Sequence, residues 1–180
     1  MTDPASNLLN PELSGVFVPA IFGDDKFALD EELAMELTVK DVMTLKVKSL
    51  RLNEQLSLAD DVMTLDRIRH LPVLDQDGEK LVGIVSQRDL FRGALAQAVG
   101  YTQRARRKLL DRLRIKDIMI SNVLTTTPDT SLSEAAHVLM ENKIGCLPVL
   151  KDGRLAGILT ETDFVALYAN KGRVSREQPR

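Results

Sequence analysis

Cysteine is almost absent from this chain, because Cys146 is the only one among 180 residues. A single cysteine excludes an internal disulfide and a zinc site of four thiolates. Glycine and proline are also sparse, at 10 and 7 residues, which excludes a fibrous protein. Positive charge is not in excess, since 24 basic and 26 acidic residues leave a formal charge of -2. The 44% hydrophobic and 28% charged residues predict a globular protein.

Long hydrophobic runs are missing as well. The longest apolar stretch, Val16 to Phe22, has seven residues and contains Pro19, whereas a membrane-spanning helix needs about 20. The first residues, Met1 to Pro4, lack the basic region of a secretory signal. We therefore expect no interaction with a membrane, and a reducing cytoplasm as the compartment.

An internal repeat is the most informative feature of the sequence. The five residues from Val39 (VKDVM) recur 76 positions later, from Ile115, as IKDIM. The tetrapeptide LPVL recurs at the same offset, and a seven-residue motif recurs at an offset of 74 after a longer first turn. The matching segments are 71–74 with 147–150, and 83–89 with 157–163.

Each copy is predicted to fold as a β-α-β-β-α unit. A short extended piece leads into a helix, two apolar strands joined by an Asp-Gly turn follow, and a second helix closes the unit. The extended pieces are 47–50 and 123–126, the strands are 71–74, 81–85, 147–150 and 155–159, and the second helices begin at Ser86 and Thr160. The apolar residues of the first helices are Leu58, Val62, Leu65 and Ile68 in one copy, and Leu132, Ala136, Leu139 and Met140 in the other. A copy of about 55 residues has a thin core, so the two are expected to pack together.

Three segments outside the repeats differ in charge. Residues 1–38 form an acidic arm with eight acidic residues and one lysine, and Asp30 is expected to cap a short helix over 31–37. Residues 97–114 form a helical connector, and positions 103–116 carry seven basic residues and one aspartate. The repeats span 39–96 and 115–170, and residues 171–180 are expected to be a frayed tail.

Sequence templates for common enzymes are not present. There is no P-loop, no dinucleotide-binding glycine motif, no nucleophile elbow and no zinc-protease motif. His70 and His137 are the only imidazoles, and neither is repeated in the other copy. We interpret His137 as a surface or packing residue and Cys146 as a small buried apolar residue. The prediction is a protein that is not an enzyme, holds no metal and requires no cofactor.

A hydroxyl residue at a strand end, with an aspartate three positions later, occurs in both copies. The pairs are Ser86 with Asp89 and Thr160 with Asp163. Such a pair can form a capping box at the start of a helix. Alternatively, the helix start faces a cleft, where its amides and hydroxyl meet a phosphate and the aspartate accepts two ribose hydroxyls. Both interpretations stay open, because a capping residue can also contact a ligand.

These motifs, in the same order twice, resemble a tandem pair of cystathionine β-synthase (CBS) domains. The segments that carry the resemblance are 39–44, 70–74 and 83–89, then 115–119, 146–150 and 157–163. The resemblance implies an α/β (α+β) fold of two pseudo-twofold-related repeats, packed sheet to sheet, with two clefts between them. It also implies dimerisation into a flat disc and binding of adenosine-containing ligands such as AMP, ADP, ATP or S-adenosylmethionine, sometimes NAD or a cyclic dinucleotide.

The resemblance assigns the ligand contacts crosswise, so that each cleft draws on both repeats. The Asp163 cleft would use Thr44, Val47, Ile68, Arg69 and His70 around the base, and Thr160, Thr162 and Asp163 on ribose and phosphate. The Asp89 cleft would use Ser121, Val123, Ile144, Gly145 and Cys146 around the base, and Ser86, Arg88 and Asp89 on ribose and phosphate. The second repeat departs from the family pattern at Ile120. This residue occupies the position equivalent to Thr44 but has no hydroxyl. Arg88 adds a guanidinium that attracts phosphate.

Three functions are consistent with these features. The favoured one is a homodimeric sensor that binds an adenosine-containing ligand and signals to a separate protein. The alternative is a ligand-independent dimerisation or scaffolding module with vestigial clefts. Nucleic-acid binding through the basic connector is disfavoured, because a basic run on a helix is more often a solvated face. The identity of the ligand and of the regulated partner stays open.

Overall fold

The computed structural model describes residues 37–95 and 103–170. The first repeat contains α1 (Val39–Val42), β1 (Leu50–Arg51), α2 (Leu56–Leu65), β2 (His70–Leu74), β3 (Leu81–Ser86) and α3 (Gln87–Leu95). Helix α4 (Gln103–Leu110) and a 3-10 turn (Ile115–Asp117) lead into α5 (Leu132–Asn142), β4 (Cys146–Lys151), β5 (Arg154–Thr160) and α6 (Glu161–Ala169). The acidic arm up to residue 36, with its predicted helix, and the predicted tail lie outside the described residues.

Each repeat contributes one small sheet. In repeat 1, β2 lies between β1, to which it is parallel, and β3, to which it is antiparallel. In repeat 2, β4 and β5 form an antiparallel pair, and the piece predicted at 123–126 is reduced to one parallel bridge between Thr126 and Val149. In repeat 1 the Leu52 amide continues the pairing by donating to Leu74 O at 3.1 Å, whereas the equivalent residue in repeat 2 is Pro128, which has no N–H to donate. The predicted Asp-Gly turn of repeat 2 is confirmed, with φ of 52° at Asp152 and 76° at Gly153.

The two repeats exchange their first turns. The core of repeat 1 contains Ile115 from the start of repeat 2, and the core of repeat 2 contains Val39 from the start of repeat 1. Both side chains are completely buried, at 0% exposure. Backbone hydrogen bonds fix the exchange, since the Ile115 amide donates to Glu54 O at 3.0 Å and the Val39 amide donates to Thr130 O at 2.9 Å. Neither repeat therefore completes its core without the other.

The apolar residues listed for the first helices mark the buried faces of α2 and α5 only in part. Two of them lie outside, since Leu65 is 81% exposed and Met140 is 72% exposed. The residues of α2 that are buried are Leu56, Ser57, Ala59 and Met63. Residues three and four positions apart lie on the same face of a helix, but the spacing alone does not say which face is buried. In α2 the buried face contains the small residue Ala59, which lets the helix approach the sheet closely. An apolar face therefore remains on the outside of these helices.

Candidate functional site

The segment that opens each repeat crosses to the sheet of the other repeat. We call residues 38–47 and 114–123 the leading segments. Thr44 exchanges two backbone hydrogen bonds with Ile158 of β5, at 2.9 and 3.0 Å. Ile120 exchanges two with Ile84 of β3, at 2.9 Å each. Each leading segment therefore lies beside the strand that ends at the helix start of the other repeat.

Glycine allows this close approach. A Cβ built on Gly157 would stand 2.6 Å from Met43 Sδ, and one on Gly83 would stand 2.6 Å from Met119 Sδ. The backbone oxygen of the residue after each methionine would be at 3.2 and 3.1 Å. Any larger residue would displace the methionine side chain and crowd the backbone of the leading segment. The pairing was not predicted, although the methionine that ends VKDVM and IKDIM is the signal that indicates it.

Both helix starts are capped by their aspartates. Asp163 Oδ2 accepts hydrogen bonds from the Thr160 amide at 2.7 Å and from Thr160 Oγ1 at 2.8 Å. Asp89 Oδ2 accepts from the Ser86 amide at 3.0 Å and from Ser86 Oγ at 2.5 Å. The capping interpretation is thus confirmed. It stays compatible with a ligand role, because in the described part of the chain the second carboxylate oxygen, Oδ1, makes no hydrogen bond in either residue.

Asp163 lies in a more apolar setting than an ordinary surface aspartate. Burial raises its pKa above the usual value, and the hydrogen bonds from Thr160 oppose that shift. A carboxylate that has lost part of its hydration gains from any hydroxyl that donates to it. Asp163 is therefore suited to accept hydrogen bonds from a ligand.

The base sides assigned to the two clefts meet between the repeats. A Cβ on Gly145 would stand 2.9 Å from His70 Cε1 and 3.5 Å from Glu161 Oε2, so the imidazole lies against the backbone of repeat 2. Burial, and then the charge of Arg69, hold the pKa of His70 below its ordinary value, while Glu161 and Asp89 act in the opposite direction. The His70 ring is therefore neutral at pH 7. Glu161 was not predicted as a site residue, because its proximity depends on how the repeats pack.

Several other predicted site residues are either buried in the core or exposed to solvent. Cys146 is 5% exposed, and burial, helped by the charge of Glu161, raises its pKa to about 12, so the thiol stays neutral. Ile68 and Ile144 pack against the core of their own repeat. The exposed predicted residues are Arg69, Arg88, Ser121 and Thr162, and the half-buried ones include Val47 and Val123. Among the described residues, no hydrogen bond joins Ser121 or Val123 to the start of α3.

Two other features are absent from residues 37–95 and 103–170, a cluster of metal ligands and a membrane-spanning helix. No group of three or more His, Cys, Asp or Glu side chains there is arranged to hold a metal ion. None of the helices in these ranges has the length and apolarity needed to cross a membrane.

Known proteins that are similar to this chain include the following two sequence relatives and one solved structure. The family described as CBS domain matches residues 39–95 and 115–170. A CBS domain-containing protein of Dictyostelium discoideum is 33% identical over 134 residues, which cover 74% of this chain and 92% of that protein. A homoserine O-acetyltransferase of Methanohalophilus mahii is 33% identical over 160 residues, which cover 84% of this chain. The chain spans only 30% of the length of that relative.

The structural neighbour is the CBS domain pair of protein MJ0100, which was solved in complex with 5′-methylthioadenosine and S-adenosyl-L-methionine. It is 29% identical in sequence and superposes with a TM-score of 0.62. The superposition covers 75% of this chain and 98% of the other.

Proposed function

The chain belongs to the CBS domain family, and we propose that it is a regulatory module that binds an adenosine-containing ligand between its repeats and signals to a separate protein. The crosswise pairing of Thr44 with Ile158 and of Ile120 with Ile84 carries this proposal, because it puts residues of both repeats around each helix start. A ligand that contacts both repeats stabilises one relative arrangement of the two repeats. Binding therefore shifts the conformational equilibrium of the protein toward that arrangement. The complex of the MJ0100 domain pair supports the ligand class. We propose no catalytic role and no required cofactor.

In the Asp163 cleft, we infer that Asp163 accepts the ribose hydroxyls while Thr160 and Thr162 contact the phosphate or its substituent. Thr44 and the neutral ring of His70 are expected on the base side. A hydrogen bond to a charged group contributes about 1.5 to 3 kcal/mol. Thr160 and Thr162 carry no positive charge and Arg69 is assigned to the base side, so this cleft is expected to accept ligands without phosphate.

In the Asp89 cleft, the chemistry differs at two positions. Ile120 replaces the hydroxyl of Thr44, and Arg88 stands exposed on the helix that begins after Ser86. A guanidinium binds phosphate through charge-assisted hydrogen bonds that are often bidentate. We therefore expect the Asp89 cleft to prefer phosphorylated ligands.

A thermal-shift panel tests the proposal. The panel contains AMP, ADP, ATP, S-adenosylmethionine, 5′-methylthioadenosine, NAD and cyclic dinucleotides, with GMP as a base control. A ligand at 100 times its dissociation constant stabilises the protein by about 2.7 kcal/mol. Stabilisation that disappears when Asp89 and Asp163 are both changed to Ala supports the proposal. If no adenosine-containing ligand stabilises the protein, the scaffold function is favoured instead.

The scaffold function rests on the capping geometry. Asp89 and Asp163 already have a structural use at their helix starts, which explains their presence without a ligand. In that case the function resides in the outer helix faces, and no nucleotide changes the stability of the protein.

We also propose a homodimer that buries the exposed helix faces. Phe91 on α3 and Val165 on α6 occupy equivalent positions and are 61% and 66% exposed. Pairing such faces about a twofold axis removes them from water.

Light scattering should give twice the chain mass of 20.0 kDa, and Phe91→Lys with Val165→Lys should give a monomer. Leu45→Lys, at a residue 69% exposed outside these helices, is the control. A wild-type particle of 20.0 kDa at micromolar concentration would contradict the homodimer.

Nucleic-acid binding is not proposed, because part of the basic connector already has partners within the fold. Arg107 pairs with both carboxylate oxygens of Asp61, and Arg114 donates to Asn53 O at 3.2 Å. Changing Arg104, Arg106 and Arg107 together to Gln should leave nucleotide affinity nearly intact. A wild-type dissociation constant for duplex DNA below about a micromolar at physiological salt would overturn this view, since it is tighter than ordinary non-specific binding.

A further inference from the structure

The two helix starts that face the clefts differ in charge, although their backbones are equivalent. The first three residues of α3 are Gln87, Arg88 and Asp89, and those of α6 are Glu161, Thr162 and Asp163. One arginine and one aspartate give a net charge of zero at the start of α3, whereas two carboxylates give -2 at the start of α6. A difference of two unit charges therefore distinguishes two sites that have the same frame.

Glu161 carries the part of this difference that has no ligand role so far. Its amide donates to Gly145 O at 3.2 Å. A Cβ built on Gly145 would stand 3.5 Å from Glu161 Oε2 and 2.9 Å from His70 Cε1, so the carboxylate and the imidazole approach the same point. The resemblance assigns His70 to the base side of the Asp163 cleft, and Thr160, which precedes Glu161, to its phosphate side. The Glu161 carboxylate is therefore close to both assigned sides of this cleft.

The charge of Glu161 acts on the buried groups around it. Burial is the largest influence on the pKa of His70, which it lowers, and on the pKa of Cys146, which it raises, while the Glu161 charge raises both. The Glu161 side chain is exposed, and within residues 37–95 and 103–170 no hydrogen bond or ion pair holds its carboxylate. The neutral ring of His70 does not offset this charge. A ligand in the cleft therefore meets the field of a carboxylate.

Arg69 is the cation that could oppose Glu161. It is exposed, and its carbonyl accepts from the Gln87 amide at 2.9 Å, at the start of α3. The equivalent residue in repeat 2 is Gly145, which carries no charge. The backbone of Arg69 is thus bonded to one helix start while its side chain is assigned to the other cleft. Its charge acts on both clefts and does not remove the difference between them.

We propose that Glu161 makes the Asp163 cleft selective for an adenosyl ligand whose 5′ substituent is positively charged, such as the sulfonium of S-adenosylmethionine, and unfavourable for a 5′ phosphate. This inference rests on the proposed function. The carboxylate attracts a nearby cation and repels a nearby anion. Gln87, at the matched position of α3, is neutral and leaves the Asp89 cleft open to phosphate. The two clefts then respond to two different classes of adenosine compound.

Three ligands isolate the charge. S-adenosylmethionine and S-adenosylhomocysteine differ by one methyl group and the positive charge on sulfur, and AMP carries a phosphate. The methyl signal of Met43, whose Sδ would be 2.6 Å from a Cβ on Gly157, reports binding in the Asp163 cleft. In the wild-type protein, S-adenosylmethionine should bind there more tightly than S-adenosylhomocysteine.

Glu161→Gln places the amide of repeat 1 in the Asp163 cleft without a change in shape. It should weaken S-adenosylmethionine and strengthen AMP, each about two- to fivefold, the effect of one exposed charge pair. The ratio of these two affinities should therefore change by about four- to 25-fold. S-adenosylhomocysteine should change least, because its sulfur is neutral.

A reciprocal variant keeps the test independent of how Glu161→Gln folds. Gln87→Glu puts a carboxylate at the start of α3, and the Met119 signal beside Gly83 reports on that cleft. AMP should bind there about two- to fivefold more weakly and S-adenosylmethionine more tightly. An unchanged preference in Gln87→Glu would count against the proposal.

Salt distinguishes an effect of charge from an effect of packing. Raising the ionic strength from about 0.1 M to about 1 M shortens the Debye length from about 10 Å to about 3 Å. The difference between wild type and Glu161→Gln should shrink accordingly. A difference of the same size at high salt would mean that charge is not its cause.

Two further outcomes separate this inference from the function on which it rests. If all three ligands leave the Met43 signal unchanged at saturating concentration, the proposed function fails and this inference fails with it. If Met43 responds, but the ratio of S-adenosylmethionine to AMP affinity is the same in wild type and Glu161→Gln, the cleft binds adenosine compounds without selecting their charge. In that case only this inference is wrong.

Discussion

The Asp163 cleft and the Asp89 cleft share a backbone frame and differ in the side chains that we propose as ligand contacts. In each, a leading segment exchanges two hydrogen bonds with a strand of the other repeat, and a methionine lies over a glycine. Thr44 stands at this junction in one cleft and Ile120 in the other, and Arg88 stands where the second copy has Thr162. Close backbone packing is therefore common to both clefts, and we expect the few side chains that differ to set the ligand preference of each.

The largest effect is expected from breaking the shared frame. Gly157→Ala and Gly83→Ala each place a Cβ in contact with a methionine and with backbone, and should lower the free energy of unfolding by about 1 to 3 kcal/mol. Urea denaturation measures both variants. The control is a double-mutant cycle with Met43→Ala, in which part of the Gly157→Ala cost should disappear. A cost at one glycine only would mean that the two frames are not equivalent.

The next effect separates binding from capping. Asp163→Ala and Asp89→Ala should each weaken binding at their own cleft about ten- to a hundredfold, from the loss of charged hydrogen bonds. Asp41→Ala is the matched control, because Asp41 Oδ2 accepts from the Thr38 amide and hydroxyl at 2.9 and 2.8 Å, in the same capping geometry but at the start of α1. It should lower stability without changing affinity. If titration calorimetry shows equal losses of affinity in all three variants, the aspartates act only as helix caps.

A smaller effect should distinguish the clefts by ligand charge. Arg88→Ala should weaken the binding of ATP more than that of adenosine, by about three- to tenfold, because an exposed cation is partly screened by solvent. Thr162→Ala, the equivalent change in the other cleft, removes an uncharged contact to the phosphate and should separate ATP from adenosine by a smaller factor than Arg88→Ala does. If Arg88→Ala weakens adenosine as much as ATP, the proposed asymmetry is wrong.

The smallest effect concerns His70, which has no counterpart in repeat 2. Because burial lowers the pKa of the folded imidazole below its ordinary value of 6.5, the unfolded chain takes up a proton first as the pH falls. His70 therefore stabilises the fold above pH 6.5, and this contribution is lost as the pH falls through the folded value. Urea denaturation at pH 7.5 and 5.5 should show a loss of stability that His70→Gln reduces. An unchanged pH dependence in His70→Gln would contradict this role.

Local sequence patterns predicted the structural features that depend on interactions between residues close in sequence. The strands, the Asp-Gly turns and the hydroxyl-aspartate helix starts follow from residues within a few positions of one another. The exchange of Val39 and Ile115 between cores, and the contact of His70 with Gly145, depend on how the repeats meet. Apolar spacing alone does not show that Met140 is exposed, because a helix can pack on a sheet through its small residues. The resemblance to a known family, rather than periodicity, indicated the crosswise clefts.

Methionine methyl signals test the central claim, ligand binding in both clefts, most directly. Met43 lies over Gly157 beside Thr44, and Met119 lies over Gly83 beside Ile120, so each reports on one cleft. Titration with S-adenosylmethionine or ATP should shift both signals to saturation and leave Met63, 2% exposed in the core of repeat 1, in place. In Asp163→Ala, the Met43 shift should need about ten- to a hundredfold more ligand while Met119 responds as before. Met43 and Met119 signals that stay unchanged at saturating ligand would contradict the account.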